Sequence, residues 1–466
     1  MLTLKDAGRK AIWDELGRIL ENYSTAVETW PVTPELNPEK IRAMLAPCDF
    51  LHPVDAVEAL QLAANGLKDY QVHTPHPRYF GLFNPAPTTM GIVADALVAG
   101  FNPQLAAWSH SPFAAEVEQH LVRAIGSRFG YSPGAVDGAF ASGGMEANHT
   151  AILAALTNRF PDFATKGLRS LDAQPVFYCS SESHHSFLKA ARMCGLGMDS
   201  LRHIEIDDQL RMRPEALHKA IVYDTENNFA PFLVVGTAGT TNAGIIDPLP
   251  ALADVAAKHN LWYHVDAAWG GGAAFVPELQ PLLNGIERAD SITFDAHKWL
   301  SVPMGAGLFL TRHNTILDRT FRVATAYMPK DAAGLDIVDP HLHSMQWSRR
   351  FIGLKVFLSL LAAGWEGYAE AIRHQTRMGV VLREGLARAG WEIVNETPLP
   401  VVCFAKPGAT AEEHQQIVSK IVRSGKAWIS TTLLAGKRTV LRACVTNYRT
   451  QESDVAALIG DLSESI

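Results

Sequence analysis

From residue 138 to 311 short apolar runs alternate with longer stretches of helical period. β-Branched or aromatic runs lie at 176–180, 202–206, 232–237, 262–266, 291–295 and 306–311. Helical patterns at 145–159, 186–195, 213–224 and 248–259 fall between most of them. This alternation predicts an α/β unit, a mostly parallel sheet with helices on both faces. Ahead of it, Ile12, Leu16, Ile19 and Leu20 mark a helix within residues 1–30, and Pro31 to Pro38 break it. A second amphipathic helix covers 54–70. This arm, residues 1–80, has little core of its own and would pack on the main body or on a second subunit. Residues 74–86 form a loop dense in proline and aromatics, the kind that often lines sites. A helical stretch at 87–103 follows it. Ser111-Pro112 opens the next helix, with Glu116 and Glu118 near its positive end. It runs to about Phe129.

Beyond the alternating region, which spans 81–365 with its flanking helices, the periodicity weakens at 322–346. A loop of that length is a lid, a binding loop or disordered. Helices are expected at 348–363 and 366–389. Residues 391–464 read as a separate α+β lobe, so that 366–466 forms a small C-terminal domain. Its strands are expected at 391–395, 400–405 and 439–446, and its helices at 411–423 and 452–464.

Composition narrows the class. The chain has 466 residues, 47% of them apolar and 19% charged, enough for a large folded core. A net charge of −7 with no basic stripe argues against nucleic acid. The five cysteines form no Cys-x-x-Cys pair, which suits a reduced, cytoplasmic chain without a metal site. The N-terminus has no secretory h-region, and no apolar run is long enough for a membrane span.

The chemistry gathers at strand ends, where α/β sheets bind ligands. Asp266 ends the run 262–266, and Lys298 follows the run 291–295. A lysine can hold pyridoxal phosphate (PLP) as a Schiff base, while a carboxylate keeps the pyridine nitrogen protonated. An aspartate at the end of a buried strand needs such a partner. Ala268, two residues on, is small enough to leave room for a ring. Ser142-Gly143-Gly144-Met145 leads into a helix and has the makings of a phosphate cradle. The stretch Ser181 to Ser186 contains His184 and His185; a histidine there can stack on an aromatic cofactor, and metal binding is the poorer reading. A hydroxyl from Thr237 to Thr241 could bond the cofactor's phenolic oxygen. Asp247-Pro248 reads as a helix cap. His297 is either a phosphate contact or a packed neighbour.

Taken together, these motifs resemble the group II PLP-dependent decarboxylases, which include aromatic-L-amino-acid, glutamate, histidine and cysteine-sulfinate decarboxylases. The likeness rests on His76-Pro77-Arg78-Tyr79-Phe80, Ser142 to Ala147, His185-Ser186, Gly239-Thr240-Thr241, His264 to Ala268 and His297-Lys298-Trp299. It implies the aspartate-aminotransferase-like fold (fold type I), with a seven-stranded sheet and a homodimer that shares its active sites. By match, Lys298 is the Schiff-base lysine, Asp266 the partner of the ring nitrogen and His185 the stacking histidine. Ala268 lies on the opposite ring face. Gly144 and Met145 give backbone phosphate contacts, and Thr237 lies near the phenolic oxygen. The family often has a hydroxyl residue in place of Met145 and an asparagine in place of Asp295 near the phosphate. Arg442 matches an arginine that holds the substrate carboxylate. Tyr327, in the long loop, matches the tyrosine that protonates the carbanion after carbon dioxide leaves.

The implied reaction is decarboxylation of an L-amino acid to its amine. The alternatives are an aldehyde synthase or another carbon–carbon lyase, or a decarboxylase of glutamate, cysteine sulfinate or diaminobutyrate. Phe83, Pro85 and Trp108 are the expected side-chain pocket. With few cations nearby, they favour an aromatic or other apolar substrate.

Overall fold

The computed structural model describes residues 2–323 and 337–465. Its centre is a seven-stranded sheet of β1 (Asp137–Ala141), β2 (Gln174–Ser180), β3 (Leu201–Ile204), β4 (Phe229–Thr237), β5 (Trp262–Asp266), β6 (Ser291–Asp295) and β7 (Gly307–Thr311). The spatial order is β1-β7-β6-β5-β4-β2-β3. β7 runs antiparallel to both its neighbours, and the other adjacent pairs are parallel. Every residue of β5, β6 and β7 is buried, as expected for strands covered on both faces. Their continuous apolar runs are what makes them legible in the sequence.

β1 escapes that reading because Asp-Gly-Ala-Phe-Ala carries little β propensity. It is held by register instead, with Gly138 opposite Leu310. A Cβ on Gly138 would lie 2.4 Å from the Phe309 carbonyl oxygen, so glycine is required by the close approach of β7. β1 and β2 lie at opposite sides of the sheet. The helix joining them, Gly144–Arg159, therefore crosses one face and packs against β4 to β7. Its first turn is carried over the carboxyl ends of the central strands.

A second sheet, all antiparallel, follows in the chain: β8 (Glu392–Ile393), β9 (Val401–Ala405), β10 (Ser430–Leu434) and β11 (Arg438–Cys444), in the order β10-β11-β9-β8. The long helix Gly353–Arg388 packs on both bodies. It comprises two helices, as the sequence predicts. They meet at Gly364, whose φ of 64° and ψ of 175° break the helical path. Glu118, expected to serve the dipole of its helix, does something else. It forms a buried ion pair with Arg349 and accepts the Gly353 N–H at 3.0 Å, which ties Pro112–Arg128 to the start of the long helix. Among the described residues no helix is long and apolar enough to cross a membrane.

Both partners of that pair are nearly inaccessible, so removing one strands the other. Glu118→Ala should lower unfolding stability by about 3–5 kcal/mol, read as a shifted denaturant midpoint. A midpoint within error of the wild type would show that the pair contributes nothing.

Candidate active site

β4, β5 and β6 deliver their last residues to one rim. Thr237 pairs with Asp266, and Asp266 with Thr293, two residues before Asp295. The short helical turn Ala296–Trp299 then lifts Lys298 over that rim. Lys298 Nζ lies 3.1 Å from Asp295 Oδ2 and 5.7 Å from the centre of the Phe83 ring. Gly144, Met145, Thr237, Asp266, Ala268 and Asp295 line the cleft into which Lys298 projects.

Asp266 is fixed from two sides. Its Oδ1 accepts the Ala268 N–H at 3.1 Å, and its Oδ2 accepts Asn148 Nδ2–H at 2.9 Å. Asn148 was not singled out in the sequence, yet it governs a buried polar chain. With Nδ2 donating to Asp266, Asn148 Oδ1 is left to accept, 3.2 Å from His264 Nε2. The proton of His264 therefore sits on Nε2, and Nδ1 accepts from Ser291 Oγ at 2.8 Å. Ser291 Oγ in turn accepts Trp262 Nε1–H at 2.9 Å. Burial pulls the His264 pKa down to about 4, so the ring is neutral at physiological pH.

The phosphate cradle keeps its glycines for a physical reason. A Cβ on Gly144 would sit 2.9 Å from Asp295 Oδ2 and 3.3 Å from Ala268 Cβ. The first N–H groups of the helix, from Gly144 and Met145, have no partner in its own ladder. Ser142 is turned away: its N–H and hydroxyl both bond Glu146 Oε2, at 2.9 and 2.7 Å. His297 Nδ1 accepts the Ala306 N–H at 3.2 Å, so its Nε2 carries the proton and faces Asp295 Oδ2 at 3.8 Å. Burial lowers the pKa of this ring, and the Asp295 charge works against that.

Several expected positions are corrected. Of the two adjacent histidines, His184 lines the cleft, within reach of the charges of Asp266, Lys298 and Asp295. Both are exposed, and His185 is the cap residue of the helix Ser186–Met193, where its carbonyl accepts the Lys189 N–H. Asp247 caps no helix. Its carboxylate accepts the N–H groups of Thr237 and Met212, both at 2.8 Å, and burial raises its pKa to about 6. It thereby fixes the end of β4. The Thr237 hydroxyl is engaged with Ser183 Oγ at 3.1 Å. Trp108 is held by Asp339 and Glu116 and does not line the Lys298 cleft. Tyr327 lies outside the described residues.

Phe83 stacks on Trp269 with centroids 4.4 Å apart, and the Arg442 guanidinium lies 5.1 Å from its ring. Pro85 is buried two residues further along the same loop. Arg442, in the middle of the second sheet, donates to the carbonyls of Thr241 and Gly81, and its Nη2 is buried without a partner. An unpartnered guanidinium nitrogen and a cradle that a Cβ would fill are features that an anionic ligand would satisfy. With an amine and a ring-facing carboxylate beside them, these residues fit PLP: Lys298 for the aldehyde, Asp266 for the ring nitrogen, the Gly143-Gly144 turn for the phosphate.

The comparisons agree. A family model described as the pyridoxal-dependent decarboxylase conserved domain matches residues 38–406. The chain is 30% identical to an aromatic-L-amino-acid decarboxylase of Bacillus atrophaeus over 451 residues, 95% of this chain and 92% of that one. It is 30% identical to the cysteine sulfinic acid decarboxylase of Mus musculus over 410 residues, 84% and 83% of the two chains. The crystal structure of mouse CSAD matches the fold with a TM-score of 0.92 at 26% identity, covering 99% of each chain.

Loss of the Asn148 amide would leave the Asp266 carboxylate free to turn. A hydrogen bond to a charged group is worth about 1.5–3 kcal/mol, so Asn148→Ala should weaken PLP binding roughly 10–100-fold in a fluorescence titration of the apoprotein. Unchanged affinity would show that Asp266 is oriented without it.

Proposed function

We propose that this chain, which belongs to the pyridoxal-dependent decarboxylase family, removes carbon dioxide from an L-amino acid with an aromatic or other apolar side chain. It is a PLP-dependent carboxy-lyase of fold type I, and the substrate and the roles of single residues are our reading. Bound PLP supplies an electron sink for the pair left when the bond from Cα to the carboxylate breaks. The observation that carries the assignment is the placing of Asp266 and Lys298 on one rim by the β5–β6 register.

Lys298 Nζ would hold the cofactor covalently through its aldehyde. Asp266, oriented by Asn148 and the Ala268 N–H, would keep a proton on the ring nitrogen. We assign to His184 the stacking role that the sequence suggested for His185, with Ala268 on the opposite face. Gly144 and Met145 present N–H groups to the phosphate, with His297 Nε2–H beside them. Thr237, bonded to Ser183, stands near the phenolic oxygen. Arg442 Nη2, buried and unpaired, is the donor we assign to the substrate carboxylate. The Phe83–Trp269 stack supports an apolar pocket, with Pro85 on the same loop. Tyr327 is our candidate for the proton returned to Cα.

A homodimer is part of this reading. The helix Asp6–Ala26 buries no residue, and Trp13, Phe50, Phe101 and Phe113 are exposed. A second copy would cover such apolar surface and share its site. The unpaired cysteines suit the reducing cytoplasm.

A screen of the proteinogenic amino acids and cysteine sulfinate tests the substrate. Equimolar amine and carbon dioxide from an aromatic amino acid is the expected result. Turnover confined to glutamate or cysteine sulfinate would overturn the substrate class. Aldehyde with hydrogen peroxide, or keto acid, would overturn the reaction. Lys298→Ala should abolish repeated turnover.

A further inference from the structure

Glu146 is the third residue of the helix Gly144–Arg159, where an acid ordinarily reaches back to the N–H of the residue that caps the helix. This one reaches a residue further. Its Oε2 accepts the Ser142 N–H at 2.9 Å and the Ser142 hydroxyl at 2.7 Å, so the cap residue, Gly143, is spanned and its N–H is left outside the clasp. The Gly143 carbonyl accepts the N–H groups of Glu146 and Ala147, at 3.0 and 3.2 Å. The two glycines of the phosphate turn are thus enclosed between a serine and a glutamate that hold each other. Glycine has no side chain to fix its own backbone, so its conformation is imposed by its neighbours. β7 does this by contact, since a Cβ on Gly307 would be 2.7 Å from Gly143 Cα. Glu146 does it through Ser142.

The carboxylate that closes this clasp is itself held from elsewhere in the fold. Gln346 Nε2 donates to both its oxygens, at 2.6 and 2.8 Å. Gln346 lies on a segment fixed to the body of the protein by further bonds: the Trp108 N–H donates to Asp339, and the His341 N–H to the Ala106 carbonyl. A helix cap alone needs no such support. We propose that Glu146 is a positioning residue for the cofactor's phosphate, and that Gln346 acts through it by fixing the plane of its carboxylate against Ser142. Glu146 does not line the Lys298 cleft. It sets the path of Gly143 and Gly144, and that path decides whether the first N–H groups of the helix converge on one anion. The clasp also withdraws the Ser142 hydroxyl, so the turn offers backbone N–H groups in its place. The proposal rests on the reading that this turn receives the phosphate of PLP held by Lys298.

Pyridoxal lacks the phosphate, so the ratio of PLP affinity to pyridoxal affinity isolates what the phosphate contributes. Both are measured on the apoprotein by the visible absorbance band that each aldehyde forms. Glu146→Ala should lower the ratio by about tenfold or more, with the affinity for pyridoxal unchanged. Glu146→Gln keeps an acceptor for Ser142 and an amide partner for Gln346, so its ratio should stay within about threefold of the wild type. Gln346→Ala should lower the ratio in the wild-type background and have no further effect in Glu146→Ala, because it acts only through Glu146. An unchanged ratio in Glu146→Ala would overturn the proposal. So would an equal fall in both affinities, the mark of a merely structural cap. Additive losses in the double variant would overturn the role given to Gln346. If neither aldehyde forms a band that Lys298→Ala abolishes, the anchoring assignment itself fails.

Discussion

Everything at this site depends on three parallel strands stopping together. The register that sets Thr237 beside Asp266, and Asp266 beside Thr293, puts each strand's polar end on the same rim. Side chains in a strand alternate between faces, so a slip of one residue would send Asp266 to the other side of the sheet. The hydrogen bond that the Thr237 N–H donates to the Asp247 carboxylate pins the end of β4 from outside the ladder. The crossing helix Gly144–Arg159 then closes the rim from above with its glycine turn, because β1 and β2 lie at opposite sides of the sheet.

Precision at the rim comes from a fully satisfied polar chain beneath it. Asp266, Asn148, His264, Ser291 and Trp262 each find a partner, and donors and acceptors alternate along the chain in only one consistent way. Such a network in a dry interior is rigid when complete and costly when broken. Burial keeps His264 neutral, so its Nδ1 stays free to accept the Ser291 hydroxyl.

The sequence disclosed what depends on local pattern. Buried central strands read as apolar runs, and Asp266 and Lys298 stood at their ends; the α/β architecture followed from these alone. What it hid depends on tertiary contact. β1 is a run of glycine and alanine stabilised by β7, and β10, Ser-Thr-Thr-Leu-Leu, is half-exposed, so neither carries an apolar signature. Asn148 looks like any polar residue within a helix until the helix is laid across the sheet. His184 and His185 are adjacent and exposed in an irregular turn, where no periodicity says which ring lines the cleft, and motif matching chose His185. Asp247 beside Pro248 has the local form of a cap, and only the fold shows its carboxylate turned to β4.

The central claim is that Lys298, and no other lysine, carries the cofactor. Borohydride reduction of the PLP-loaded protein fixes the attachment, and peptide mass mapping then locates it. The account predicts a phosphopyridoxyl group on the peptide containing Asp295 to Leu300, at Lys298. The same group on another lysine, or a protein that binds PLP without any reducible attachment, would contradict it.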